Sequence, residues 1–183
     1  MSILDLLPGG KARAERRELE RRLAQLRAEI EAARHAGGRA ALERLRARPA
    51  QLGLSDDDAD LEMELLDGLV EVERLKEQEA AGAPLPQVET SHRAVAGETC
   101  HFAAPASRPD VAGDGGGKLF LTSRRLVYIG TTPAAVSWAH VAAVHAASRD
   151  FVVRARPDRL LAFRCNSYAD ALAAAWIATH LAK

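Results

Sequence analysis

Cysteine is scarce in this sequence. Two thiols, Cys100 and Cys165, serve a chain of 183 residues, so a disulfide framework is excluded as the main source of stability and a cytoplasmic setting is the simpler expectation. Aromatic residues are only 4% of the chain, which leaves few rings to insert into a bilayer. Neither sign of charge is in surplus: 25 Lys and Arg face 25 Asp and Glu, which argues against a general nucleic-acid coat. Targeting patterns are absent too. Met1 to Gly10 reads MSILDLLPGG, too short an apolar run for a secretory signal, and Ser at position 2 removes N-myristoylation. One longer stretch, Leu126 to Ser148, lacks Asp, Glu, Lys and Arg. Gly130, Pro133, Ser137, His140 and His145 interrupt it, so it reads as short strands joined by turns rather than as a spanning helix.

What is present is apolar enough, at 48%, to build a core, and its charge is sorted along the chain. Residues 1–54 carry 12 basic and 7 acidic side chains, residues 55–90 carry 2 and 12, and residues 91–183 carry 11 and 6. Composition changes near Gly82: Leu, Arg, Glu and Ala dominate before it, and Val, Thr, Phe and Tyr appear after it. Pro84 and Pro86 stiffen the segment between. The expected organisation is a helical region over 1–82, a linker over 83–91 and a second domain over 92–183.

Residues 11–35 form a predicted helix whose Leu19, Leu23, Leu26 and Ile30 follow a heptad seam. Gly37-Gly38 ends it, and a short helix is expected over 39–47. Ser55 with Asp58 opens a second long helix over 56–80 with a capping-box start. Leu61, Leu65 and Val72 continue the seam there. At 1.5 Å per residue each long helix is roughly 37 Å in length, and matched lengths predict an antiparallel hairpin. In that arrangement Arg16, Arg17, Arg21 and Arg22 would lie near Glu71, Glu73, Glu77 and Glu79, and Arg27 and Arg34 near the Asp56–Asp60 cluster. Such exposed pairs each contribute only about 0.2–1 kcal/mol, so they would select pairing more than stability. A two-helix hairpin has little core of its own, so self-association or a protein partner is expected.

After Val95 the periodicity changes to two. Strands are predicted over 98–103, 118–122, 125–130, 135–138, 141–146, 151–156 and 160–164, followed by a helix that Asn166 or Ser167 caps, with Asp170 at the capping-box position. Many short strands and one closing helix indicate an α+β domain built on a small antiparallel barrel. The ordered string GKLFLTSRRLVYIG (Gly117–Gly130), Val136-Ser137-Trp138, Val141–Val144 and Phe151–Arg156 resembles GRAM and bacterial pleckstrin-homology-like domains, in which a G-x-L-x-L-T-x-x-R-L hairpin follows a variable loop. The resemblance covers roughly 92–183. It implies a seven-stranded bent barrel closed by a C-terminal helix, with Trp176 packed into the barrel mouth. It also implies a module that docks proteins, lipid headgroups or membranes rather than a catalyst.

Motifs for chemistry are thin. Gly113 to Lys118 lacks the Ser or Thr and the helix that a phosphate loop requires after its lysine. Cys100, His101, Cys165, His140 and His145 have no paired metal-ligand spacing, and no nucleophile elbow occurs. Neither cofactor, metal nor small-molecule substrate is therefore expected. Arg154 and Arg156 alternate along a strand and should share a face. With Lys118, Arg124, Arg149 and Arg159 they are the candidate residues for a protein partner or an anionic surface. Arg125 is instead a candidate structural residue of its hairpin. The sequence favours a non-catalytic adaptor, its helical region associating with itself or a partner. The alternative is a peripheral binder of anionic lipid at the inner face of a membrane, with the basic barrel face doing the binding.

Overall fold

A computed structural model describes residues 10–183; the apolar stretch before Gly10 lies outside them. The chain divides into two compact units that meet inside one helix, at Leu66/Asp67. Composition changes later, in the segment 83–91, because the second half of that helix belongs with the strands.

The first unit is helical. Helix α1 spans Gly10–Ala36, α2 Arg39–Arg44 and α3 Arg48–Gln51, with a 3₁₀ turn at Leu45–Ala47 between the last two. Helix α4, Asp56–Ala80, contributes its first half here. Its start is the expected capping box: Asp58 N donates to Ser55 Oγ at 3.2 Å and Ser55 N donates to Asp58 Oδ2 at 3.1 Å. The chain that first folds back on α1 is the short-helix segment. Arg48 donates twice to Glu29, at 2.6 and 2.8 Å, and Arg22 donates to the Gly53 carbonyl at 3.3 Å. Leu26 and Ile30 are fully buried, and Leu19 and Leu23 half-buried, as the seam predicts. On α4 the seam is out of phase with the sequence reading. Leu61 is 51% exposed and Leu65 half-buried, while Ala59, Glu62 and Leu66 are buried. Ala59, Leu66 and Leu69 set the inward face of α4, and Glu62 shares it by accepting from Arg27 Nε at 2.6 Å. Local ion pairs also run along both long helices: Arg16 with Glu20, Arg21 and Arg22 with Glu18, Arg34 with Glu31, Glu71 with Arg74 and Glu73 with Lys76.

The second unit holds the rest of α4, a seven-stranded antiparallel sheet and helix α5, Tyr168–Leu181. The strands are β1 Cys100–Ser107, β2 Gly117–Thr122, β3 Arg125–Gly130, β4 Ala134–Ser137, β5 Val141–Ala147, β6 Asp150–Ala155 and β7 Arg159–Cys165. Their order is β4-β3-β2-β1-β7-β6-β5. The chain is thus α+β, but the sheet is open rather than closed into a barrel by hydrogen bonds, and β4 and β5 are its free edges. β1 runs further than the alternation predicts, through Pro105. A proline is tolerated there because β1 pairs with β7 only at Ala106 and Ser107, so at Pro105 one side of the strand needs no amide donor.

Alternation sends Leu119, Leu121, Leu126 and Tyr128 inward, where they meet Phe151, Phe163 and the alanine-rich face of α5. Ser167 caps α5 by accepting from Asp170 N at 3.0 Å. Trp138, in the 3₁₀ turn Trp138–His140, is the buried tryptophan, and its Nε1 donates to Thr122 O at 2.7 Å. Trp176 is only half-buried and lies against His180, ring centroids 4.2 Å apart. Phe120 faces the other way, into a second small cluster with Val95, Cys100 and Val127. The expected spacer is therefore a strap on this outer face. Val88 N donates to Cys100 O at 2.8 Å, His101 Nδ1 lies 2.9 Å from Pro86 O, and the His92 ring sits 5.5 Å from that of Phe120.

Both cysteines are buried and free. Burial pushes the Cys165 thiol up to about 12 and raises that of Cys100 as well. Reaction needs the thiolate and access to it. Native protein at pH 8 should therefore react with a thiol reagent far more slowly than denatured protein, which should release two equivalents at once. A fast single equivalent in the native state would contradict this placement.

Candidate functional site

Two loops meet next to the free edge of β4. One is the 3₁₀ turn Trp138–His140, which carries the chain from β4 to β5; the other is the turn between β6 and β7. The backbone N–H of Arg156 donates to His140 O at 2.7 Å and ties the two together. Between them lies a groove of about 170 Å³ lined by Ser137, His140, Arg156, Arg159 and the small residues Ala135 and Ala155. Ser137 Oγ lies 2.8 Å from His140 Nδ1, which fixes the imidazole and leaves Nε2 turned away from the serine. Among the described residues neither the Arg156 nor the Arg159 guanidinium has an ion-pair partner, and both are exposed. Asp158, also exposed, is the one acid in the same turn. Two guanidiniums and an imidazole thus line one small hollow, and planar five-donor forks are the groups that match carboxylate and phosphate oxygens.

The other basic candidates do not converge on it. Arg154 stands within β6, between Ala143 of β5 and Leu160 of β7. Arg156 lies one residue past the end of β6, and the two exposed arginines flank the buried Ala155. Lys118 opens β2 with its ammonium 5.4 Å from the Phe120 ring centroid, and Arg124 lies beyond the other end of that strand. Four strand steps of about 3.4 Å separate Lys118 from the turn that holds Arg124, on the order of 14 Å. Arg149 is half-buried and engaged within the fold, and its carbonyl accepts from Cys165 N at 2.8 Å. Arg108 and Arg164 are taken up by Asp110 and Asp150. Arg125 is structural: it donates to Glu98 Oε1 at 3.0 and 2.7 Å and to Ala94 O at 3.2 Å.

Sequence reasoning missed Ser137 and weighed His140 only as a metal ligand. Nothing in their spacing marks them, because the groove exists only once the β4–β5 connection and the β6–β7 turn are adjacent. The Ser137–His140 contact is not an activated nucleophile. The two residues are three apart in one turn, both are exposed, and among the described residues no carboxylate bonds to the ring as such a site requires.

The Gly-rich loop after β1 holds no ligand-binding arrangement of the phosphate-loop kind. Its Asp114 instead accepts from Tyr128 OH at 2.6 Å and from Arg108 N at 2.7 Å. Those hydrogen bonds hold the Asp114 carboxyl below its ordinary value. Burial, aided by the same carboxylate, pushes the Tyr128 phenol up to about 12. The loop is pinned to the core by its own acid.

Among the described residues no helix is long and apolar enough to cross a membrane. No family model matches the chain, and no curated protein matches it. Among solved structures, the C-terminal domain of an unknown protein from Leishmania infantum is similar over 49% of this chain and 90% of that one, at 14% identity and a TM-score of 0.42. That likeness is too slight to carry an argument about fold or function.

Proposed function

We propose that this chain is a non-catalytic interaction protein of the PH/GRAM-like kind. In this reading its sheet-bearing unit docks a protein partner through an anionic group seated between Arg156, Arg159 and His140, and its helical unit associates with itself or with a partner. The observation that carries the proposal is the pair of guanidiniums without counter-ions on one small groove. Each fork can meet a carboxylate bidentately, and the hollow is too small for more than a side-chain-sized group.

The test is an NMR titration of the full chain with glutarate and, separately, with inorganic phosphate. Saturable shifts at His140, Arg156 and Arg159, lost in the double variant Arg156→Ala with Arg159→Ala, are expected. Absence of shifts there at millimolar anion would remove the groove as a site.

A second reading, peripheral binding to anionic lipid, is favoured by one observation. The β6–β7 hairpin carries Arg154, Arg156 and Arg159 together with Leu160, which is 63% exposed. Each basic residue near an anionic surface is worth about 1 kcal/mol. Salt-sensitive sedimentation of wild type with phosphatidylserine-containing vesicles, lost in the double variant, would shift the proposal to the membrane. Equal recovery with neutral and anionic vesicles would leave it with a protein.

A further inference from the structure

The second free edge of the sheet has a different character from the first. β4 is four residues long and follows Pro133, so it is blunted in the usual way. β5, Val141–Ala147, is seven residues long and contains neither proline nor any Asp, Glu, Lys or Arg. Among the described residues its only hydrogen-bonded strand partner is β6. The one protective device on it is the irregularity between Val141 and Ala143. Alongside this edge runs a groove of about 280 Å³, lined by Val141, Ala142, Ala143 and Val144 and by Thr179 and Ala182 at the end of α5. Every side chain in it is small and uncharged.

We infer that the β5 edge is a docking site for an extended, acidic segment of a partner protein, which adds to the sheet as an eighth strand. Three features select that occupant. First, the free N–H and C=O groups of an edge strand are met by another extended backbone. Second, the shallow groove towards α5 takes small apolar side chains at every other position, because successive residues of a strand face opposite ways. Third, the remaining positions pass over the outer face, where the row Ala143–Arg154–Leu160 runs across β5, β6 and β7. Arg154 is exposed and has no ion-pair partner among the described residues. With strands about 4.8 Å apart, an added strand lies two spacings from Arg154. Ala143 between them is short enough for the guanidinium to lean across to an Asp or Glu. A second copy of the chain fits less well: two-fold pairing of β5 with itself would bring Arg154 towards its own image, in a region of 11 basic and 6 acidic residues. This site is separate from the Arg156–Arg159 groove and does not depend on it.

The test uses the full chain and a fluorescein-labelled peptide of alternating Glu and Val, seven residues long, followed by anisotropy at low salt. Two comparisons fix the mode. A peptide of the same sequence with alternate backbone nitrogens methylated keeps the charge and loses the edge hydrogen bonds; it should bind at least about tenfold more weakly. Arg154→Glu should weaken the Glu peptide by about tenfold or more and strengthen a Lys/Val peptide, the signature of a direct charge contact. Each comparison is repeated with Arg156→Ala and Arg159→Ala, which removes the neighbouring carboxylate groove, so that the binding read is that of the β5 edge. Arg154 is exposed, so its variant should keep the circular dichroism of wild type. Equal binding of the methylated peptide, indifference to Arg154→Glu, or no binding at millimolar peptide would each overturn the inference. So would a concentration-dependent dimer that the peptide cannot dissociate.

Discussion

Gly68→Ala should loosen the second half of α4 from α5, although the same change in an exposed helix would stabilise it by about 1 kcal/mol. A Cβ placed on Gly68 would lie 2.9 Å from Leu172 Cδ1 and 3.0 Å from both Cα and N of Ala169. The leucine tip can rotate away. The Ala169 backbone, in the first turn of α5, cannot move without shifting the helix that covers the core. Overpacking of this sort typically costs about 1–3 kcal/mol. The net expectation is a destabilised protein, with a lower urea midpoint and faster hydrogen exchange in residues 67–80. Gly68→Ser should be worse. Gln78→Ala, an exposed change on the same helix, should be neutral or slightly stabilising. If Gly68→Ala raises the midpoint as Gln78→Ala does, α4 does not cross α5 this closely.

The same glycine shows how far the sequence could be read. Within the heptad pattern Gly68 is a gap in a seam, because periodicity records only which positions lack polar groups. A position can lack a side chain because another backbone occupies its space, and that information sits about a hundred residues away in Ala169 and Leu172. The buried Glu62 is a similar case. An acid counts as surface in any pattern, yet Glu62 is buried beside Ala59 and Leu66 with Arg27 as its partner, while Leu61 is exposed. The strands were far more legible. The predicted Arg125–Gly130 coincides with β3, and the others, β1 apart, fall within about two residues, because alternation reports directly on a sheet with one face against a core. The direction of Leu119 and Leu121 against Phe120 was readable for the same reason. What alternation could not give was closure: whether β4 and β5 pair depends on strand tilt and on the connection through Trp138–His140, neither of which has a local signature. The basic groove follows from that connection, so its arginines were nameable as a set and its histidine and serine were not.

The Glu98–Arg125 pair carries the largest electrostatic prediction. Glu98 has a side chain only 7% exposed and stands just before β1. It receives the Thr122 hydroxyl at 2.6 Å and two donors from Arg125. Thr122 also accepts from Arg125 N at 3.1 Å, so one small network closes the β2–β3 hairpin against the strap. Burial pushes the Glu98 carboxyl up, but the hydrogen bonds from Thr122 and Arg125 outweigh it and hold the group below its ordinary value. Truncating Arg125 to Ala leaves that carboxylate buried with the hydroxyl alone, which should cost about 2–3 kcal/mol at pH 7. Arg125→Lys keeps the charge but not the two-pronged geometry and should fall between. The pH dependence has a definite sign. Because the folded protein holds Glu98 below the unfolded value of about 4.3, its contribution is complete above that pH. It is then lost as pH falls through the folded value. Glu98→Gln cannot titrate, so wild type should exceed it in stability at pH 7 and the gap should close in acid. Other carboxyls held low, such as Glu29, Glu71 and Asp114, are common to both proteins and cancel in the difference. Urea midpoints of the two proteins measured from pH 7 to pH 3 decide it: convergence on the acid side is the expected result. Parallel curves would mean that the ionised Glu98 contributes nothing to the closure of this hairpin.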